Sequence, residues 1–363
     1  MLHIPSCAEE FTADWLNDAL SPLLNDAEVM DCRVVDSDIP GQTADIVLLD
    51  VEYNREIDLP SRMVAKISSS DPEIISGLIV HFDQYYRETS FYREFAESGI
   101  STPRCLYQDF ARDGQSFVLL MADLAPSTCP SWGISAEQVE FALSRLPSLH
   151  GKWWGDSTLL SRDYLVRPTD MNFYGALFGA AHAAAPILHE LYEDPTRVTE
   201  MMAAAASKPE SVTAHVASRP CTLIHGDYHA KQMFFPSDEG GEFAVIDWQF
   251  PMVAQGAWDF ARMLNMGLPT ELRRAEEPRL LREYLAGLKS AGVQNYTLED
   301  LELDYRFGIY FGLCVMTVAS ADTDVSILEK ECSDLGVDWK DVMFCRLQRA
   351  MEDWNTDELI KSL

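Results

Sequence analysis

The chain has 363 residues, enough for two domains or one large bilobal one, and its 47% hydrophobic content supports a sizeable core. A formal net charge of −30 argues against nucleic acid or an anionic membrane surface as a partner. That acidity reads first as surface solubility, including adaptation to salt, and only weakly as a preference for a cationic or neutral small ligand.

The eight cysteines are scattered and form no C-x-x-C pair, which argues against a structural zinc site of that kind and fits a reducing compartment. The opening MLHIPSCAEEF has no basic region followed by an apolar core, so no signal peptide is expected and the cytoplasm is the expected location. The most apolar stretch, 175–191, is interrupted by His182, Pro186 and His189 and is too short and polar to span a bilayer.

In chain order, 8–24 has the spacing of an amphipathic helix (Phe11, Trp15, Leu16, Leu20), with Thr12 or a nearby acid as cap. Short β-rich runs follow at 32–35, 46–53 and 63–67, separated by turns at 38–43 and 58–61, and predict a small antiparallel sheet. Apolar residues three and four apart predict one long helix over 72–98. Strands at 105–109 and 117–121 come next. The Pro- and Ser-containing stretch 126–133 reads as a linker. Beyond it the pattern turns helical, at 136–154, 173–192, 196–206, 258–267, 278–291, 298–320 and 340–362. The plan is a small sheet-plus-helix lobe at 1–124, a hinge at 125–133 and a larger, mainly helical lobe at 134–363, an α+β arrangement.

Two loops interrupt the helical half, LIHGDYHAKQMFF at 223–235 and AVIDWQF at 244–250. In each, an apolar run delivers a carboxylate to its end, Asp227 and Asp247. A bound cation is a common partner for such a pair. Lys66 is isolated inside the apolar strand VAKI. It reads either as a lysine reaching solvent or as a cation over phosphates, held by Glu88 or Glu94 of the following helix. His225 and His229 flank Asp227 and could instead be ligands of a metal hydrolase, although no further histidine sits at a helpful spacing. Trp153, Trp154, Trp248 and Tyr228 are candidates for a substrate wall or for core.

Together these segments resemble the aminoglycoside phosphotransferase and choline-kinase-like family, on the side of its ecdysteroid-kinase-like branch. The family's H-G-D-x-x-x-x-N loop appears as HGDYHAKQ and its I-D-[FW]-[EQ] loop as IDWQ. GAWDFA, RMVAKI, RETSFY and LLMADLA match further elements in order between about 40 and 265. The resemblance implies a protein-kinase-like fold and ATP-dependent, Mg²⁺-requiring transfer of a γ-phosphate to a hydroxyl of a small alcohol, aminoglycoside-like, choline-like or neutral. It implies that Asp227 orients the acceptor hydroxyl and takes its proton. Asp247, with Gln232 in the place of the family's asparagine, would hold the metal. Lys66, fixed by Glu88, would contact phosphates, and Gly41, Gln42 and Thr43 would cover them. The backbone around Met121 to Asp123 would meet the adenine. Asp259 and His225 would brace the loop. This sequence departs from the pattern at Gln232, one methylene longer than asparagine, and at Ala122, where the family often has an acid. The first departure keeps open an alternative, a nucleotide-binding pseudokinase acting as an interaction module.

Overall fold

Strand alternation determines which face of the first sheet is core. The sheet contains β1 (Val29–Val35), β2 (Ala44–Tyr53), β3 (Arg62–Ser68), β4 (Cys105–Phe110) and β5 (Phe117–Ala122), in the order β1-β2-β3-β5-β4 and antiparallel throughout. Val47, Leu49, Met63, Ala65, Ile67, Val118 and Leu120 line one face and pack with Trp15, Leu16 and Ala19 of the helix Ala13–Ala19. The two-residue period puts Lys66 on the opposite face, paired with Leu119 of β5 and Ile46 of β2. The helix Gln84–Glu94 packs against β4 and β5, with Tyr85 stacked on Phe117 at 4.0 Å between ring centroids. The computed structural model describes residues 2–35, 43–75, 82–95, 97–111, 114–322 and 325–363.

Two compact units divide the chain. The first comprises Met1–Thr128 with Pro236–Phe250, and the second Cys129–Phe235 with Pro251–Leu363. The segment 236–250, placed by sequence in the helical lobe, therefore clusters with the sheet. The first unit carries the small antiparallel sheet. In the second, helices dominate, and all eleven residues of the helix Ala257–Gly267 are buried. Among the described residues no single helix is long and apolar enough to cross a membrane.

Several helix boundaries differ from expectation for identifiable reasons. The first helix is capped as expected, by Thr12 accepting the Trp15 N–H, but stops at Ala19. Within the expected helix 72–98, the described residues form a short helix at Pro72–Ile74 and the helix Gln84–Glu94, which Asp83 precedes with a left-handed φ of 51°. The helix expected over 173–192 runs over Met171–Ala184, tightens through Ala185–Ile187, and resumes at Leu188–Leu191. Pro186, which has no N–H to donate, sits at that break. Pro278 lies inside the helix Thr270–Ser290, not at its start. Ion pairs of Arg273 with Glu277 and Asp353, and of Arg274 with Asp353, hold the turn ahead of the proline. Helices Pro209–Ser218 and Val325–Asp334 carried no distinct sequence signal. The last helical stretch is divided at Asn355, whose φ is 47°.

Candidate functional site

In the first unit, three charged side chains meet over the sheet. The Lys66 ammonium lies 2.8 Å from Glu88 Oε2 and 2.7 Å from Asp247 Oδ1. β3 supplies the lysine, the helix Gln84–Glu94 the glutamate, and the loop after Ala244–Val245 the aspartate. Glu94, the other carboxylate considered for Lys66, is exposed and pairs with Arg93 instead. Charges in such a buried place cost several kcal/mol each, on the order of the ionic desolvation penalty, unless they are paired. Burial opposes the charge on Lys66, but the Asp247 and Glu88 carboxylates outweigh it and hold its pKa above the ordinary lysine value. Burial pushes the Glu88 carboxyl up to about 7, with the Lys66 ammonium and the Gln249 amide opposing it. Of the two carboxyl groups, Asp247 is the one solvent reaches: its side chain is 26% exposed against 1% for Glu88.

The Asp247 loop is held in a costly conformation. Its φ is 64°, a region where aspartate is among the few non-glycine residues found with any frequency. The next two residues fix it. Trp248 is fully buried and stacks on Phe91 at 3.8 Å, with the rings 6° from parallel. The Gln249 amide donates to Thr43 Oγ1 at 2.8 Å, and the Thr43 carbonyl accepts from the Tyr85 hydroxyl at 2.8 Å. Thr43 is thereby tied to the Asp247 loop and to the Glu88 helix. Gly41 and Gln42, assigned with it, lie outside the described residues. Truncation of Trp248 to alanine removes a whole stacked ring and should cost about 3–5 kcal/mol of stability, against much less for Trp248→Phe. Equilibrium urea unfolding followed by circular dichroism measures the difference.

At the end of β5, Met121 is paired with Val64 and its side chain is buried. The Asp123 N–H donates to the Arg62 carbonyl at 3.2 Å and the Ala122 N–H to the Arg104 carbonyl at 2.9 Å. The Asp123 carboxylate accepts the Ala125 N–H at 3.1 Å and pairs with Arg62. These two backbone donors are thus already committed to neighbouring chain.

In the second unit, the turn His225–Gly226–Asp227 follows the strand Thr222–Ile224. Asp259, fully buried, accepts the His225 N–H at 2.7 Å and the Gly226 N–H at 3.0 Å. Gly226 has φ 84°, which suits glycine and lets both N–H groups converge on one carboxylate. His150, from the helix Ala136–Lys152, lies 3.3 Å from Asp259 and 2.7 Å from the Tyr284 hydroxyl. Asp227 itself is held by Arg262 on one oxygen and His229 on the other. Burial works against its ionisation, but the His229 ring and the Arg262 guanidinium outweigh it and hold the carboxyl far below the usual range. Gln232 closes the single turn Ala230–Gln232, its N–H donating to the His229 carbonyl at 3.0 Å. Tyr228 and Trp248 are both core, not substrate wall.

The donor sets fit a hard cation better than zinc. His225 Nδ1 accepts the Asp227 N–H and His229 Nδ1 accepts the Lys231 N–H, which commits one nitrogen of each ring. Among the described residues no group of three or more His, Cys, Asp or Glu could hold a metal. Mg²⁺ takes one or two carboxylates together with phosphate oxygens and water, and the partly exposed Asp247 offers such a ligand.

Three residues of these constellations went unassigned in the sequence: Arg262, His229 as a partner of Asp227, and Gln249. Arg262 directly follows the GAWDFA segment, one helical turn beyond Asp259 on the same face, and that spacing was the available signal.

A family model described as "Phosphotransferase enzyme family" matches residues 79–293. Among curated proteins, an uncharacterised oxidoreductase of Caenorhabditis elegans, dhs-27, is 22% identical over 348 residues, which is 84% of this chain and 41% of that protein. An uncharacterised kinase-like protein of the same organism, D1044.1, is 32% identical over 88 residues, 24% of this chain and 23% of that protein. The chain thus spans less than half the length of these curated relatives. Among solved structures, a presumed aminoglycoside phosphotransferase from Ralstonia eutropha is similar over 93% of this chain and 97% of its own, at 12% identity and a TM-score of 0.52. A choline/ethanolamine kinase family protein from Mesorhizobium loti is similar over 91% of this chain and 93% of its own, at 13% identity and a TM-score of 0.49. The fold is that of the protein-kinase-like small-molecule kinases.

Proposed function

The chain belongs to the phosphotransferase enzyme family, and from that premise we propose that it transfers the γ-phosphate of ATP to a hydroxyl of a small alcohol. The observation that carries the proposal is the trio Lys66–Glu88–Asp247, one buried ammonium between two carboxyl groups, of which Asp247 is the more exposed. Lys66 suits the α- and β-phosphates, and Glu88 fixes where its ammonium points. Asp247 suits a divalent ion, with Gln232 as a second oxygen ligand. Mg²⁺ bound there would neutralise charge on the phosphates.

Asp227 serves the acceptor. In this reading the hydroxyl donates its hydrogen bond to Asp227. The acceptor oxygen bonds to the γ-phosphorus as the bond to the β–γ bridging oxygen breaks. The hydroxyl proton passes to Asp227, and ADP leaves. Chemistry of this kind needs placement and charge neutralisation more than covalent help, which matches a site built of ion pairs. The segment 125–133 is the proposed hinge, and the strand end at Met121 to Asp123 the proposed adenine edge, through carbonyls more than through the two committed N–H groups. A cytoplasmic location belongs to the same proposal, on the scattered cysteines that fit a reducing compartment. The net charge of −30 suits a cationic acceptor such as an amino sugar or amino alcohol and does not separate it from a neutral one.

The test is ADP release from Mg²⁺–ATP across a panel of aminoglycosides, amino alcohols, sugar alcohols, nucleosides and sterols. The expected result is release stimulated by at least one acceptor and lost on removal of Mg²⁺. Nucleotide binding without turnover across the panel would replace this reading with the pseudokinase. Tightly bound zinc with no nucleotide-dependent thermal shift would replace it with a metal hydrolase.

A further inference from the structure

The Asp227 carboxylate is gripped on both sides by side chains of its own unit. Arg262 Nε and Nη2 both donate to Oδ1, at 3.2 and 2.9 Å. His229 Nε2 lies 3.1 Å from Oδ2. Because His229 Nδ1 accepts the Lys231 N–H, the ring proton sits on Nε2 and points at Asp227. A carboxylate has roughly four acceptor directions. Two are filled by Arg262 and one by His229, which leaves one on Oδ2. Arg262 is 5% exposed at its side chain and Asp227 22%, so the open direction belongs to the carboxylate and the guanidinium lies behind it.

The helix Ala257–Gly267 does two jobs on one face. Asp259 fixes the backbone of the turn through the His225 and Gly226 N–H groups. Arg262, one turn further on, fixes the side chain that the turn presents. We propose that Arg262 is the positioning residue of the phosphoryl acceptor site: with His229 it blocks three directions around Asp227, so that the acceptor hydroxyl can meet the carboxylate only along the fourth. The inference rests on the reading that Asp227 faces the acceptor. It adds that Asp227 works as a fixed, ionised hydrogen-bond acceptor more than as a strong base. That suits a loose transition state in which the hydroxyl keeps its proton until late. The titratable and charged groups around Asp227 are His225 and His229 on its loop, Arg262 and Asp259 on the helix, and His150 behind Asp259. Of these, the Arg262 guanidinium is the one permanent cation in contact with the carboxylate.

The test uses the full chain with ¹³C-labelled aspartate, the Asp227 carboxyl resonance being assigned by its loss in Asp227→Asn. It compares wild type, Arg262→Lys and Arg262→Gln, with steady-state kinetics alongside. In wild type the resonance should not titrate above pH ~4, the ordinary aspartate value, whereas in Arg262→Gln it should titrate at or above that value. In the same variant kcat should fall about 10²-fold, the scale of a misplaced reacting group, with KM for ATP within about twofold. Arg262→Lys should keep the low titration and recover part of kcat, since an ammonium supplies the charge but not the two-point grip. Should Arg262→Gln fail to fold, Arg262→Lys carries the test, because a wild-type kcat in that variant overturns the proposal. An active wild type alongside a folded Arg262→Gln with unaltered titration and kcat also overturns it. A wild type that phosphorylates no acceptor fails differently, because it removes the phosphotransferase reading and the proposal with it.

Discussion

Asp247→Asn is expected to lose turnover by at least ~10³-fold, the scale of a lost charge clamp on a transferring phosphoryl group, while remaining folded. Asparagine is the right probe because residue 247 has φ 64°, and asparagine is the other side chain that tolerates the left-handed region well. Alanine there would add backbone strain to the loss of charge. The asparagine oxygen can still accept from Lys66, now 2.7 Å from Asp247 Oδ1, so the internal hydrogen bond survives and only the charge disappears. The carboxylate proposed for the metal goes with it, while the Lys66–Glu88 contact stays. Binding of ATP should therefore lose its dependence on Mg²⁺, and binding measured without Mg²⁺ should stay close to wild type. Calorimetric titrations with and without the metal read both effects. Equal Mg²⁺ dependence in the variant would place the metal carboxylate elsewhere.

Asp227→Asn is expected to lower kcat by about 10²–10⁴-fold, the range for a removed acid–base or orienting group. KM for ATP should barely move, because the side chains proposed to meet the nucleotide lie on other segments. The variant should fold. Breaking a buried ion pair by deleting one partner costs roughly 3–5 kcal/mol, but asparagine keeps an oxygen for Arg262, and the carboxylate is 22% exposed. The expected stability loss is therefore below that range. It should also be smaller than that of Asp227→Ala, which leaves the nearly buried guanidinium without its acceptor. A urea unfolding curve on each variant separates the kinetic effect from a folding effect. A near-wild-type kcat in Asp227→Asn would remove Asp227 from the acceptor site.

What the sequence made legible follows from local physics. The two-residue period of VAKI puts Lys66 beside Val64 on the face opposite Ala65 and Ile67, and a lone cation among apolar residues needs a carboxylate. Which carboxylate was open, because Glu88 and Glu94 share one helix. Packing decides it, burying Glu88 and leaving Glu94 at the surface. The helix breaks at Asp83 and Asn355 rest on a left-handed φ at one residue, a conformation that aspartate and asparagine tolerate but do not require, so their presence alone does not mark it. The assignment of 236–250 to the sheet unit is likewise a long-range matter, set by contacts such as Gln249 with Thr43 across 206 positions. Arg262 sits one residue past a motif whose end was read at Ala261. Its role depends on the register of a fully buried helix against a turn 35 residues earlier.

Transfer of labelled γ-phosphate from ATP into the small-molecule fraction, in the presence of an acceptor that stimulates ADP release, is the most direct single measurement. The expected result is a labelled phosphomonoester formed by wild type with Mg²⁺ present, and none above background with Asp227→Asn or Asp247→Asn. Label appearing only as inorganic phosphate, or a phosphomonoester formed equally well by both variants, would contradict phosphoryl transfer by these two carboxylates.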